Sequence, residues 1–187
     1  MIKIKKLLLI IIFISSFFEI KAQDNNSNWF GTLDFGVQMS GIKDEDFVSS
    51  NYSPLIRLTG GKWLNKKIGI QFGYQGWYFN AIADNDKHFY SFYFTEVVFD
   101  SKSIFSIGKV NNRFHDLLFH IGFGYFQNRY YENSKIHGII GGSNNFLVSK
   151  KIKLKFDIGA IIGWDIYQGN DDILPSLSLG IVYQFVN

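Results

Sequence analysis

After residue 28 the hydrophobicity of the chain alternates with a period of two, which predicts β-strands whose two faces meet different surroundings. The segment 29–40 shows the rule: Leu33 and Phe35 fall on one face, and Asp34 and Gln38 fall on the other. Four more segments alternate as cleanly, at 68–75, 117–125, 152–162 and 176–185. Three less regular segments lie at about 54–64, 88–98 and 137–148. Together the pattern predicts eight strands.

The connections between the predicted strands alternate in length. Residues 65–67 and 149–151 are tight polar turns, whereas longer polar loops are predicted at 41–52, 80–87, 128–135 and 165–174. If the chain begins on the periplasmic side, the tight turns face inward and the long loops outward, as in outer-membrane barrels. The longer segment 99–113 is the exception. Because successive connections alternate between the two ends of the barrel, it falls on the inner side although it is long. We therefore predict an all-β fold, an eight-stranded antiparallel up-and-down transmembrane barrel, with ten strands as the alternative if 99–113 contains a further hairpin.

The first 22 residues have a different character from the rest. A basic start over 1–6 is followed by an apolar run over 7–18 and by Ala22, a small residue at the expected cleavage position. The run is shorter than the ~20 residues that a transmembrane helix needs, so it predicts a secretory signal peptide. The predicted organisation is a signal peptide at 1–22 and one barrel domain at 23–187, located in the outer membrane of a Gram-negative cell.

The positive net charge of the sequence belongs to this leader. The whole chain has 19 Lys and Arg residues against 16 Asp and Glu residues, a formal charge of +3. Removing the four lysines and one glutamate of the leader leaves 15 basic and 15 acidic residues. The mature chain is therefore neutral and has no basic footprint for nucleic acid. Cysteine is absent, which excludes disulfides and thiolate metal sites.

Alternation alone does not separate a membrane barrel from a soluble one, because a soluble barrel alternates as well. The less apolar face of the predicted strands is rich in Gly, Ser, Thr and Gln, which suits a narrow lumen of hydrogen-bonded side chains better than a face in water. The fourth strand is apolar on both faces, so its register stays open. The predicted polar network of the lumen is Asp34, Arg57, Gln71, Gln75, His120, Lys153, Lys155 and Asp157.

Aromatic residues gather near the ends of the predicted strands, where the girdles of membrane barrels lie. Tyr90 is assigned to the outer girdle. Counting along the strands points Trp63 and Trp77 into the lumen, and a bulge at Gly76 would turn Trp77 outward. The main members of the two predicted girdles are Trp29, Tyr125, Trp164, Tyr183 and Phe185.

Three pieces of the sequence carry a resemblance to a known class of proteins: the end of the leader at 21–23, the stretch 119–126 and the C-terminal stretch 179–185. In these the chain resembles the small outer-membrane β-barrel proteins of Bacteroidetes, which share the architecture of the OmpA and OmpX barrels. The resemblance implies the fold and the location, and functions vary within the class. It also implies that the aromatic-ended last strand is a signal for the barrel-assembly machinery, although Val186 and Asn187 follow Phe185 here.

Ser143, His120 and Asp157 form a candidate catalytic set. Counting from the turn at 149–151 pairs Ser143 with about Asp157, and counting from the loop at 128–135 brings His120 close to Ser143 on the lumen face. Such a set could carry nucleophilic acyl transfer, but polar side chains that fill a narrow lumen are the simpler interpretation. The other histidines lack the spacing of metal ligands. We therefore predict no catalytic residue, no cofactor and no metal.

Three functions are compatible with this sequence. The leading one is a non-catalytic integral outer-membrane protein with a structural role in the envelope, or a surface-interaction role through its outer loops. Its expected partners are outer-membrane lipid and lipopolysaccharide, which divalent cations would bridge to acidic residues at 44–46, 84, 86 and 171–172. The alternatives are a narrow pore for small solutes and a lipid-modifying enzyme that uses Ser143, His120 and Asp157. The sequence does not identify a surface ligand.

Overall fold

The computed structural model describes residues 29–40, 52–80, 86–101, 115–130, 132–164, 166 and 171–185. They form eight strands: β1 Trp29–Met39, β2 Tyr52–Trp63, β3 Ile68–Asn80, β4 Lys87–Asp100, β5 His115–Asn128, β6 Asn133–Leu147, β7 Ile152–Trp164 and β8 Asp171–Phe185. Each strand pairs antiparallel with the next, and β1 also pairs with β8, so the sheet closes into a barrel. The predicted eight-stranded barrel is confirmed. The ten-stranded alternative is wrong, because the barrel closes with every strand already holding two neighbours.

The barrel has two different ends. The terminal end holds the start of β1 and the end of β8, together with the turns 64–67 and 148–151 and the connection 101–114. The loop end holds the connections 40–51, 81–86, 129–132 and 165–170. Within the described residues, no helix is long and apolar enough to cross a membrane. The predicted signal peptide at 1–22, the acidic cluster at 44–46 and the part of the segment 99–113 beyond 101 lie outside the described residues.

The two predicted tight turns at the terminal end are confirmed and share one construction. In the first, the side-chain oxygen of Asn65 accepts hydrogen bonds from the backbone N–H groups of Lys67 at 2.8 Å and Ile68 at 2.9 Å. In the second, the Ser149 hydroxyl accepts the equivalent bond from Ile152 at 3.1 Å. Asn and Ser favour turns because their short side chains satisfy nearby backbone donors in this way. The following lysines are exposed in both turns.

The predicted loop at 128–135 is wrong in length, because β5 and β6 continue to the pair Asn128–Asn133 and leave a turn of only 129–132. The side-chain oxygen of Asn128 accepts a hydrogen bond from the backbone N–H of Tyr130 at 2.9 Å. Glu132 adopts a positive φ of 49°. A polar stretch that has the composition of a loop therefore closes a hairpin, since polar residues at this end of a strand need not face an apolar environment.

The register of β4, which the sequence left open, follows from its partners. Its even-numbered residues from His88 to Val98 point inward, and Phe89, Tyr93 and Phe99 point outward. The strand is apolar on both faces because the loop-end half of the barrel interior is itself apolar. Tyr90, predicted in the outer girdle, is instead buried in this interior cluster. Its members are Phe79, Tyr90, Phe92, Phe94, Phe126, Ile139, Ile161, Ile166 and Leu174.

Trp63 and Trp77, which counting along the strands points into the lumen, lie on different sides of the barrel wall. Trp63 is partly buried and lines the interior at the terminal end, as counting predicts. Trp77 pairs with Leu55 and Tyr90, which both point inward, yet its side chain is 47% exposed. The pairing register passes Gly76 without a break, so no bulge turns Trp77 outward. The backbone does so instead, because Trp77 has a φ of 140°.

Candidate functional site

Seven of the eight residues predicted for the lumen network are buried inside the barrel: Asp34, Arg57, Gln71, Gln75, His120, Lys155 and Asp157. The eighth, Lys153, lies further towards the terminal end and is partly buried. It forms an ion pair with Asp116 at 2.6 Å, separate from the other charges. The structure thus divides the predicted network into a central group and a pair near the rim.

Arg57 is the centre of the buried group. Its guanidinium contacts Glu96 at 2.7 Å and Asp157 at 3.1 Å. It also lies over the ring of Phe94, with its central carbon 4.9 Å from the ring centroid. Gln71 donates a hydrogen bond of 2.5 Å to the same oxygen of Glu96. Arginine suits this position because its planar group presents several donors to more than one carboxylate.

Lys155 and Asp34 extend the group towards β1. The Lys155 ammonium lies 3.2 Å from both Asp34 and Asp157, so it bridges two carboxylates. Asp34 also accepts a hydrogen bond of 3.2 Å from the hydroxyl of Thr32, which is 2.7 Å from the hydroxyl of Thr59. Charges at this depth need partners, because an unpaired buried charge costs several kcal/mol.

His120 completes the charge balance. Its Nδ1 lies 2.6 Å from Glu96, and its Nε2 lies 3.1 Å from Asp157. The imidazole satisfies both contacts as a donor only when both of its nitrogens carry a proton. In that form three cationic side chains face three carboxylates. We call Asp34, Arg57, Glu96, His120, Lys155 and Asp157 the lumen charge network; they come from β1, β2, β4, β5 and β7.

Two glycines make room for this network. A Cβ atom on Gly141 would lie 2.5 Å from the His120 ring and 2.6 Å from a backbone oxygen of β7. A Cβ atom on Gly180 would lie 2.0 Å from a carboxylate oxygen of Asp34. All three distances are shorter than real contacts of a Cβ atom, so the ring and the carboxylate fit only because these neighbouring strand positions lack a side chain.

Glu96 is the network member that sequence reasoning missed. It lies in the strand whose register was open, so its side chain could not be assigned to a face. A signal was present, because the predicted lumen set contains three cations, Arg57, Lys153 and Lys155, but only two carboxylates. A neutral buried network needs a further acid. Asp116, which pairs with Lys153, was missed as well.

The interior on either side of the network differs in character. Towards the loop end, Tyr90 donates a hydrogen bond of 2.6 Å to Gln38, and Gln75 contacts the same hydroxyl at 3.3 Å, next to the apolar cluster. Towards the terminal end lies a cavity of about 30 Å³. That volume holds about two water molecules. Its lining includes Phe30, Trp63, Leu118, Asn145, Lys153 and Gln184.

The candidate catalytic set is only partly assembled. Ser143 pairs with Asp157 across β6 and β7, as predicted. His120, however, directs one ring nitrogen to Glu96 and the other to Asp157. A histidine that activates a serine must keep one nitrogen free to accept the hydroxyl proton. In this arrangement His120 has none, so the geometry holds a charge network and not a nucleophile with its base. In the described part of the chain, no group of three or more His, Asp or Glu side chains could hold a metal ion.

The five main members of the predicted aromatic girdles lie on the outer surface of the barrel, in contrast to the buried Tyr90. Trp29, Tyr183 and Phe185 are exposed at the terminal end, and Tyr125 and Trp164 are exposed towards the loop end. Tyr183 and Phe185 contact each other edge to face, with ring centroids 5.1 Å apart.

Comparison with known proteins supports the fold. No known protein family matches the chain, and no curated protein matches it either. Among solved structures, the chain is similar to the Neisserial surface protein A, with a TM-score of 0.62 and 8% sequence identity over 87% of this chain and 100% of that one. It is also similar to the N-terminal β-barrel domain of Pseudomonas aeruginosa OprF, with a TM-score of 0.54 and 9% identity over 85% of this chain and 100% of that one. At such low identity these likenesses show the fold alone: a closed eight-stranded antiparallel barrel like those of small outer-membrane proteins.

Proposed function

We propose that this chain is an integral outer-membrane protein with a sealed barrel, which acts without catalysis as a structural component of the envelope or through surface contacts at its loop end. The terminal end would face the periplasm and the loop end the exterior. The observation that carries the proposal is the outer surface of the barrel, which is apolar on every strand and free of charge between its two rims.

This apolar belt is continuous around the barrel. Each strand exposes large apolar side chains, among them Phe35, Leu58, Phe72, Tyr93, Phe123, Ile140, Ile158 and Leu179. Among the outward strand positions whose side chains the structure describes, the charged ones are Lys62 and Lys87, and both lie at strand ends. In water such a surface would be a large exposed apolar patch, whereas in a bilayer these side chains contact the acyl chains of the lipid.

The height of the belt fits a bilayer. On β4 the outward-facing residues run from Phe99 at the terminal end to Phe89 near the loop end. Ten strand positions at about 3.4 Å each, tilted by about 40–45°, span about 25 Å, which is the height of the apolar band of membrane barrels. Lys87 comes one outward position beyond Phe89, at the depth of the lipid headgroups.

The interior supports a sealed barrel over the pore alternative. The apolar cluster fills the loop-end half, the lumen charge network fills the middle, and the cavity beyond them holds about two water molecules. A conducting path would have to break buried ion pairs as well as aromatic packing. We expect the purified protein to be silent in planar-bilayer recordings over the voltage range in which a known porin conducts. Stable single-channel steps would reject the sealed barrel.

Export and assembly belong to the same proposal. The signal peptide at 1–22 would direct the chain to the periplasm, and the exposed alternating residues of β8, which end at Phe185, would present the last strand to the barrel-assembly machinery. Replacing Phe185 by alanine should slow the appearance of folded protein in the outer membrane. The matched variant Phe35→Ala, on β1, should not.

Fractionation tests the location. We expect the chain to sediment with the outer membrane and to migrate faster on a gel before heating than after, because a closed barrel resists detergent. Recovery in the soluble fraction, without a heat-dependent shift, would contradict the proposal.

Lipid A from wild-type cells and from a strain carrying Ser143→Ala should give identical mass spectra, and a difference would favour the enzyme alternative.

A deletion strain separates the structural from the surface role. If the barrel supports the envelope, loss of the gene should raise sensitivity to detergents, and a variant with residues 41–51 replaced by Gly and Ser should restore resistance. If the loop end makes surface contacts, that variant should reach the outer membrane but fail to restore adhesion. Unchanged resistance and unchanged adhesion in the deletion strain would count against both roles.

A further inference from the structure

One patch at the loop end combines two exposed cations with three aromatic rings, of which Trp77 and Phe89 are exposed and Tyr78 is half-buried. It consists of Trp77 and Tyr78 on β3, Lys87 and Phe89 on β4, and Arg129 just after β5, and we call it the outer-rim patch. The members touch in sequence: the rings of Trp77 and Tyr78 are 6.4 Å apart, those of Tyr78 and Phe89 are 5.8 Å apart, and the Lys87 ammonium lies 5.0 Å from the Tyr78 ring. The backbone N–H of Arg129 donates to the Phe89 carbonyl at 2.9 Å.

Trp77 is held in this patch against the preference of its backbone. Its strand partners Leu55 and Tyr90 are each 1% exposed inside the barrel, so regular geometry would bury Trp77 between them. A φ of 140° turns the ring outward instead. Bulky residues rarely adopt positive φ, and such strain persists where the surrounding structure imposes it, often at sites of function. The strain places a large aromatic ring on the lipid-facing side of the barrel.

Tyr74 covers the outer side of Gly76, the residue that precedes Trp77. Its hydroxyl lies 2.3 Å from the position that a Cβ atom on Gly76 would occupy, so a side chain at 76 would collide with the tyrosine. The Tyr74 ring also packs against Tyr93, with centroids 5.4 Å apart. The strand therefore reaches Trp77 through a glycine that leaves the outward space to Tyr74.

The two cations of the patch have no carboxylate partner among the described residues. Arg129 donates a hydrogen bond of 3.0 Å to the hydroxyl of Ser91, which is neutral, and Lys87 contacts the ring of Tyr78. Both side chains are exposed. By contrast, Arg57, Lys153 and Lys155 each pair with a carboxylate. Lys87 and Arg129 therefore remain available to an anion from outside the chain.

The position of the patch identifies the kind of anion. Phe89 lies at the edge of the apolar belt, and Lys87 and Arg129 lie at headgroup depth beside it. A ligand that reaches both combines an apolar part along the belt with an anionic group at its edge. Exposed Phe89 and Tyr93 offer the apolar contact, and the guanidinium and ammonium groups offer phosphate contacts.

We propose that the outer-rim patch binds the phosphorylated headgroup of an outer-leaflet glycolipid, with Lys87 and Arg129 on the phosphate and Trp77 and Phe89 against the lipid. This site rests on the proposed location and orientation of the barrel. It goes beyond them, since it assigns a specific lipid contact to one side of the rim.

The test uses the purified protein in detergent micelles, titrated with lipid A and followed by native mass spectrometry, which counts bound lipid. The variant is the double substitution Lys87→Gln and Arg129→Gln. The matched control is Lys150→Gln and Lys151→Gln, which removes the same charge from a turn at the terminal end. Heat-dependent gel migration confirms that each variant is folded. Dephosphorylated lipid A and phosphatidylglycerol serve as comparison lipids.

We expect the outer-rim variant to bind lipid A about 30-fold more weakly, since each cation near an anionic headgroup contributes about fivefold. The terminal-end control should bind like the wild type, and dephosphorylated lipid A should bind the wild type as weakly as lipid A binds the variant. Equal losses in both double variants, or equal binding of phosphatidylglycerol and lipid A, would overturn the site. If the folded protein still fractionates with the outer membrane, such a result leaves the proposed function intact.

Discussion

Replacing Arg57 by methionine removes the centre of the lumen charge network while keeping a side chain of similar length. The substitution deletes ion pairs of 2.7 Å to Glu96 and 3.1 Å to Asp157 and the contact with Phe94. The side chains of both acids are at most 2% exposed, so water cannot replace the lost partner. Breaking a buried pair by removing one member typically costs about 3–5 kcal/mol. We expect a loss of that size in the free energy of unfolding of the Arg57→Met variant.

The assay is reversible unfolding by urea in lipid vesicles, followed by tryptophan fluorescence. Lys153→Met is the matched control, because its ion pair with Asp116 is partly exposed and should contribute no more than about 1 kcal/mol. A double variant, Arg57→Met with Glu96→Gln, removes the Glu96 charge that the loss of Arg57 would leave unpaired. It should be less destabilised than the sum of the two single variants by about 1–3 kcal/mol. The reasoning fails if Arg57→Met costs no more than Lys153→Met.

Three further predictions each compare two variants. Gly141→Ala should destabilise the barrel by about 1–3 kcal/mol through crowding of the network, whereas Gly142→Ala, where a Cβ meets its nearest atom at 3.5 Å, should be close to neutral in the same urea assay. Trp77→Gly should be more stable than Trp77→Ala by about 1 kcal/mol or more, because only glycine relieves the positive φ; equal stabilities would argue against backbone strain. Phe92→Ala should cost about 3–5 kcal/mol by opening a cavity, and lipid-facing Phe123→Ala should cost clearly less; equal costs would contradict the assigned facing.

The strands could be predicted from sequence because the barrel surroundings impose a strict period of two. Leu33 and Asp34 are adjacent in the chain but face opposite environments, and this difference is visible in residue type alone. The tight turns could also be predicted, since Asn65 and Ser149 satisfy turn donors with their own side chains. These are local properties, and a single sequence contains them.

The features that could not be predicted from the sequence depend on how side chains from different strands pack against one another. Glu96 could not be placed because β4 borders an apolar interior, where inward and outward positions carry the same residue types. Trp77 was assigned by counting, and a positive φ reverses a side chain without changing the register. The approach of His120 to Ser143 was inferred from register alone, but the ring turns to Glu96 and Asp157, where each of its nitrogens meets a buried carboxylate.

The four tryptophans of the chain allow the most direct test of a barrel in lipid with a filled interior. Trp29, Trp77 and Trp164 point outward, and Trp63 lines the interior. Variants that keep one tryptophan each, with phenylalanine at the other three positions, can be folded into vesicles of brominated lipid, which quenches fluorescence on contact. We predict strong quenching of the three outward tryptophans and little quenching of Trp63. The absence of quenching at all four positions, or quenching of Trp63 equal to that of the others, would contradict the account.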